Sequence, residues 1–401
     1  MMDNDYIYLD HNATTPVDKR VLDVMLPYFT SEYGNAASDH HAGISAKRPV
    51  ERARVQCAKV INARVEKSSK SPDNTKEIIF TSGATESDNI ALFGVAEKYA
   101  HKGNHIITTV TEHKAILDCC ERLEAMGKRI TYLPVDNQGF IDIDELRQAI
   151  TPETILISIM FANNEIGTIQ PIAEIGKIAR EHDILFHTDA AQAMGHVPID
   201  VQAMNIDLLS FSAHKNYGPK GVGGLYVRRR NPFVKVAPVI YGGGHELGMR
   251  SGTLNVPAIV GMGESLELAN KQMNEDAQTY RGWASMMLSE FQDKLGGIQL
   301  NGAEISENRL PNNLNISIEH VESRSLIVNL KNIAIATGSA CTSADVQPSH
   351  VIKALGYGDD RAHTAIRLGL GRSNSREQVL QAVNTICEEA LELRELRTAF
   401  L

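Results

Sequence analysis

A lysine stands where an apolar strand gives way to a glycine-rich loop, in Ser210-Phe211-Ser212-Ala213-His214-Lys215-Asn216-Tyr217-Gly218-Pro219-Lys220-Gly221. At the mouth of a buried strand an amine loses water, and desolvation lowers its pKa. A neutral amine of this kind can bond a carbonyl carbon. Ser212 and His214 beside it offer contacts suited to a phosphate. Aldehyde chemistry at one end and phosphate binding at the other suggest pyridoxal 5'-phosphate. Upstream, Asp189 closes the apolar strand Ile184-Leu185-Phe186-His187. Pyridoxal enzymes need a carboxylate facing the pyridine nitrogen, so that the ring stays protonated and accepts electrons. Alone, Lys215 could be a lysine in a surface turn, and Asp189 a helix N-cap or a metal ligand. An aspartate ending one strand and a lysine ending a later one is a much rarer pairing.

Three further stretches carry matching chemistry. Thr81-Ser82-Gly83-Ala84-Thr85-Glu86-Ser87 follows a strand and opens a helix. Small residues there let backbone N–H groups approach a phosphate at the positive end of the helix dipole. The alternative is an ordinary strand-to-helix turn capped by Thr85 or Ser87. His113 ends another strand, where a flat imidazole could lie on a cofactor ring and move protons or serve only packing. Asn163 and Asn164 end the next, placing an amide where it could reach the ring hydroxyl or the substrate; buried turn asparagines are the common alternative.

The elements that must position these residues alternate between short apolar strands and amphipathic helices. Residues 78–80, 105–110, 130–134, 154–160, 184–187, 206–211 and 222–227 read as strands. Helices are expected over 87–101, 114–126 and 172–182. Strands buried on both faces and joined by helices predict an α/β fold with a mainly parallel seven-stranded sheet. Ligands gather at the carboxyl ends of such strands, which is where most of these motifs fall. A helix over 256–295 links to a smaller α+β C-terminal domain, with a strand over 311–318, a helix over 323–330 and a last helix from residue 373. The expected division is 15–260 for the large domain, and 1–14 with 261–401 for the small one. The polar segment 66–76 reads as a solvated loop.

Composition narrows the function classes. A chain of 401 residues, 43% hydrophobic and 22% charged, resembles an ordinary soluble enzyme. A net charge of -9 argues against nucleic acid as its main partner, and Arg228-Arg229-Arg230 reads as a solvated turn. No apolar run reaches the roughly 18 residues of a membrane span, and the acidic start lacks a signal peptide's pattern, so a cytoplasmic protein is expected. Five sparse cysteines, Cys57, Cys119, Cys120, Cys341 and Cys387, are no disulfide framework. Cys119 and Cys120 read as helix packing, with no second pair at metal-ligand spacing.

Taken together, the motifs resemble the pyridoxal-phosphate cysteine desulfurases of the class V aminotransferase family, in the NifS/IscS group. The likeness runs from Tyr8-Leu9-Asp10 and Ala13-Thr14-Thr15-Pro16 through Thr81 to Asn89, Thr111 to Lys114, Asn163 to Gly167, Asp189 to Gln192 and Ser210 to Gly221. It continues through Arg250-Ser251-Gly252-Thr253 to Gly338-Ser339-Ala340-Cys341-Thr342-Ser343-Ala344. The resemblance implies the fold of type I pyridoxal enzymes. It implies that Lys215 holds the cofactor covalently, Asp189 bonds the pyridine nitrogen, Gln192 the ring hydroxyl, and His113 stacks on the ring. Ala84, Thr85, Ser212 and His214 would lie at the phosphate and Asn164 would contact the cofactor. Thr253 would reach the phosphate of a neighbouring subunit, making a homodimer with shared sites. Arg367 would clamp the substrate carboxylate, which suits its bidentate guanidinium.

Cys341 sharpens the reading from aminotransferase to desulfurase. Its neighbours are small and polar, so its loop packs weakly and can carry an exposed thiol to the cofactor. By the resemblance, L-cysteine displaces Lys215, the freed amine takes the α-proton, the Cys341 thiolate takes the sulfur as a persulfide, and alanine leaves. The stretch 342–349 before a helix at Val351 resembles the long-loop group, which hands sulfur to iron–sulfur scaffold proteins or other acceptors. Ala213 replaces a common glycine, the 66–76 loop is longer than usual, and the end at Leu401 lacks the tail with which some relatives dock the scaffold. An aminotransferase or selenocysteine lyase, and a non-catalytic sulfur carrier, remain as rivals.

Overall fold

The computed structural model describes residues 6–67, 73–337 and 348–399. All seven expected strands of the large sheet form. Their order is Ile78–Thr81, Gly223–Val227, Leu208–Ser212, Leu185–Asp189, Thr154–Ser158, His105–Thr109 and Arg129–Leu133. The five strands from Leu208–Ser212 to Arg129–Leu133 pair in parallel. Gly223–Val227 runs antiparallel to both its neighbours. Each strand carries apolar residues on both faces because both faces are covered. Ile107, Ile157 and Leu209 point into one core, and their neighbours Ile106, Leu156 and Leu208 into another.

The helix Val256–Leu295 spans both halves of the chain. Val256, Ile259, Met262 and Leu266 pack on the large sheet's core, while Tyr280, Met287 and Phe291 pack in a separate apolar cluster. That second cluster lies on a four-stranded sheet ordered Ala336–Thr337, Ala365–Gly369, Asn313–Ile318, Ile298–Leu300. The closing helix, Arg376–Ala399, starts three residues after the expected Ser373. The N-terminal strand Ile7–Tyr8 pairs in parallel with Ile333–Ala334. Asp10, Asn12 and Ala13 follow it directly, so the small sheet determines where they meet the large one.

Two local expectations change. The helix after Thr81 starts at Ala84, with Gly83 as its N-cap and no side-chain cap bond, so Thr85 and Ser87 lie inside the first turns rather than capping them. Arg228 is not part of a solvated turn. It is buried, donates to the carbonyls of Val201 and Ile206 at 2.5 and 2.9 Å, and lies 3.0 Å from Asp207. The triplet's sequence looks solvated because nothing local shows the carbonyls that a turn 20-odd residues upstream brings to it. Arg230 alone is exposed.

Candidate active site

The carboxyl ends of the parallel strands open into a cavity of about 500 Å³. Ala84, Thr85, His113, Asn164, Asp189, Gln192, Ser212, His214, Lys215 and Arg367 all line it. Thr253 does not. It is exposed on a separate loop. Cys341 lies outside the described residues.

Each side chain is delivered by a strand end or by the turn beyond it. Ser212 ends its strand, and Lys215 closes the short turn Ala213–Lys215 that follows. Its Nζ donates to the carbonyls of Asn12 and Ala13, both at 2.7 Å. The cavity thus holds the lysine from the N-terminal segment. Asp189 ends the neighbouring strand, in register with Ser210. One carboxylate oxygen of Asp189 accepts the Ala191 N–H at 2.9 Å. Burial raises its pKa, while His113, the Ala191 N–H and Lys215 oppose that rise.

Gly223 brings the two loops of the phosphate side together. A Cβ there would stand 2.7 Å from the Gly83 Cα, so a side chain would force apart the strand end and the helix start. The 15-residue helix Ala84–Lys98 aims its N-terminus at this wall. His214 bonds the Thr14 hydroxyl through Nδ1 at 3.1 Å. Burial, then Lys215 and Lys220, lower its pKa to about 4. His214 is therefore a neutral donor at working pH.

His113 does more locally than sequence indicated, because its Nδ1 accepts the Ala115 N–H at 3.1 Å and caps the helix Lys114–Ala125. Asn163 and Asn164 divide the two roles. Asn163 is buried and committed to the Thr111 carbonyl and to the N–H groups of Glu165 and Ile166. Asn164 faces the cavity, and its carbonyl accepts Arg367 Nη1 at 3.0 Å. Arg367 also pairs with Asp10 at 2.8 Å, while its buried Nε has no hydrogen-bond partner among the described residues. The guanidinium belongs to the cavity lining, and its planar fork suits a carboxylate. The Gln192 amide exchanges bonds with Asn12 at 2.8 and 3.3 Å.

The sequence reading missed a layer of buried acids beneath the site. Glu112 accepts the Met160 N–H at 2.7 Å and the Thr109 hydroxyl at 3.2 Å, and its other oxygen has no partner among the described residues. Burial pushes its pKa up to about 8. The ordinary value is 4.5, so folding takes up a proton between the two values and stability falls as pH rises through that window. Glu112→Gln is accordingly expected to raise Tm relative to the parent at pH 8 by more than at pH 5. A difference in Tm that stays constant with pH would contradict this sign.

The aminotransferase class-V family model matches residues 7–381. The chain belongs to the class V aminotransferase family. Within the family it is 50% identical over 391 residues to the cysteine desulfurase IscS of Rickettsia conorii, covering 97% of this chain and 92% of the relative. It is 49% identical over 391 residues to the IscS of Anaeromyxobacter dehalogenans, covering 97% and 94%. Among solved structures, a NifS-like protein superposes with a TM-score of 0.86 at 37% identity, covering 96% of this chain and 98% of that one. A structure described as SspA in complex with cysteine gives 0.76 at 37% identity, covering 91% and 98%. The class V member described here therefore falls with the cysteine desulfurases of the NifS/IscS group, and its sheet is that of fold type I.

Proposed function

We propose that this protein is a cysteine desulfurase that uses pyridoxal 5'-phosphate to convert L-cysteine to L-alanine, leaving the sulfur as a persulfide on Cys341. The observation that carries this reading is the convergence of Lys215, Asp189 and Arg367 on one cavity. The residues present fit the cofactor: an amine, a buried carboxylate with an oxygen not taken up by the Ala191 N–H, and a helix N-terminus beside Ser212 and neutral His214.

Lys215 would hold the cofactor covalently, Asp189 its ring nitrogen and Gln192 its ring hydroxyl, with His113 against the ring and Asn164 at its edge. Ala84, Thr85, Ser212 and His214 would take the phosphate. When bound, the cofactor supplies a protonated ring that withdraws an electron pair from the substrate's α-carbon. Arg367 orients the substrate through its carboxylate. The Lys215 amine removes the α-proton and can return one. The Cys341 thiolate forms an S–S bond as the substrate's carbon–sulfur bond breaks. The bonding pair stays on carbon, which takes a proton to become the methyl group of alanine.

Thr253 stands exposed and away from its own chain's cavity, which supports its reaching the phosphate site of a second copy. Tyr33 and Tyr241, 77% and 74% exposed, and Phe29, 59% exposed, offer apolar surface for such a homodimer. The two separate apolar clusters support a large domain over 15–260 and a small one formed by 1–14 with 261–401. The chain would work in the cytoplasm, passing sulfur to iron–sulfur scaffold proteins or other acceptors. Among the described residues no helix is long and apolar enough to cross a membrane.

Protein supplied with pyridoxal 5'-phosphate and L-cysteine, with a thiol reductant present, is expected to release alanine and sulfide in equal amounts. Alanine without sulfide, or transamination to a keto acid, would replace the desulfurase reading with another pyridoxal activity.

A further inference from the structure

Asp88 sits in the second turn of the helix Ala84–Lys98, on the wall of the cavity that also holds Asp189. Its side chain is fully buried, and neither carboxyl oxygen has a hydrogen-bond partner among the described residues. The nearest basic atom is His187 Nε2 at 3.7 Å. That imidazole is already engaged. Its Nδ1 bonds Ser158 at 2.8 Å and its Nε2 bonds Ser210 at 3.0 Å, and burial lowers its pKa to about 3. His187 is therefore neutral and gives Asp88 no counter-charge.

The charged groups facing Asp88 are acids, Asp189 and Glu112, beside the neutral His187, Ser210 and Cys119. Asp189 and His187 share one strand and, two residues apart, the same face of the sheet. Ser210 lies on the next strand, Glu112 precedes the helix Lys114–Ala125, and Cys119 lies on that helix. Asp189 has a backbone N–H and the charges of His113 and Lys215 to favour its anion, whereas Asp88 has only the Ser210 hydroxyl nearby, outside good hydrogen-bond geometry. Two carboxyl groups in one dry site cannot both ionise cheaply, and the one with donors keeps the charge.

We propose that Asp88 is a positioning residue for Asp189, carrying a proton so that the pair holds one negative charge, on Asp189, with the Asp88 O–H steadying that carboxylate. The proposal rests on the reading that Asp189 meets the ring nitrogen. It predicts that a neutral polar group at residue 88 suffices and that an ionisable one is not required.

Asp88→Asn keeps both properties, and Asp88→Ala keeps only neutrality. In equilibrium titrations with pyridoxal 5'-phosphate followed by visible absorbance, Asp88→Asn is expected to bind within about two-fold of the parent. Asp88→Ala should bind at least about ten-fold more weakly, as loss of a buried polar partner implies. The pH midpoint of the bound cofactor's absorbance should not move in Asp88→Asn. Infrared difference spectra at pH 8 should show a neutral-carboxyl carbonyl stretch in the parent that Asp88→Asn removes and Glu112→Gln does not. Unchanged binding in Asp88→Ala, equal weakening in both variants, a shifted midpoint in Asp88→Asn or no band lost would each overturn the proposal. The infrared comparison can be repeated without cofactor. Failure of the parent to bind pyridoxal phosphate would therefore sink the functional reading separately, leaving the proton on Asp88 still measurable.

Discussion

Lys215→Ala is expected to lower kcat for desulfuration of L-cysteine by at least about 10³-fold, because on the proposed reading it removes both the covalent anchor of the cofactor and the base that moves the α-proton. The geometry makes the amine hard to replace. Its Nζ is placed by two backbone carbonyls, those of Asn12 and Ala13, and the lysine itself closes the turn after the Leu208–Ser212 strand. Among the described residues the only other lysine lining the cavity is Lys220, which is exposed five residues on. Lys215→Arg separates charge from basicity. It preserves a cation near the phosphate side, yet a guanidinium stays protonated and cannot take a proton. Both variants should therefore be inactive, and borohydride reduction should fix cofactor to the parent at residue 215 only. Retention of more than about a tenth of parental turnover by either variant would remove Lys215 from the chemistry.

How much of this could be read from the chain depends on where the information lies. The strands were legible because each is a short run with apolar residues, six of the seven buried on both faces and the edge strand Arg129–Leu133 only partly so, and Asp189 and Lys215 stood out as polar residues at the ends of such runs. The helix start at Ala84 was misplaced because its cap is Gly83, which carries no side-chain signal. That shift hid Asp88. Placed correctly, Asp88 stands three residues after Thr85 and shares its face of the helix, turned toward the cavity. The partners of Lys215 were invisible for a different reason. They are backbone carbonyls about 200 residues away, brought in by the pairing of Ile7–Tyr8 with Ile333–Ala334, and a carbonyl has no residue type. Asp10 on Arg367 and the buried Glu112 likewise depend on packing between distant segments.

The same structure makes a strong prediction about sulfur. Cys341→Ala is expected to abolish persulfide and sulfide formation, at least about 10³-fold, while the cofactor's visible absorbance and its response to L-cysteine persist. The reason comes from the other four cysteines. Cys57, Cys119, Cys120 and Cys387 are all buried. Burial pushes the thiols of Cys57 and Cys119 up to about 12 and that of Cys387 up to about 11, and raises that of Cys120 as well. A thiol at 11 is ionised in only about one molecule in a thousand at pH 8, and a buried one cannot meet a substrate sulfur. None of the four lines the cavity. On the proposed reading sulfur transfer therefore falls to Cys341, which the sequence sets among Gly338, Ser339 and Ala340 before it and Thr342, Ser343 and Ala344 after it. Alanine substitutions at Cys57, Cys119, Cys120 and Cys387, made one at a time, should leave turnover near the parental value wherever the fold survives. Persulfide mapped by mass spectrometry after a single turnover should sit on Cys341 alone. Undiminished sulfide release by Cys341→Ala, or a persulfide on one of the buried four, would show that sulfur leaves the substrate by another route.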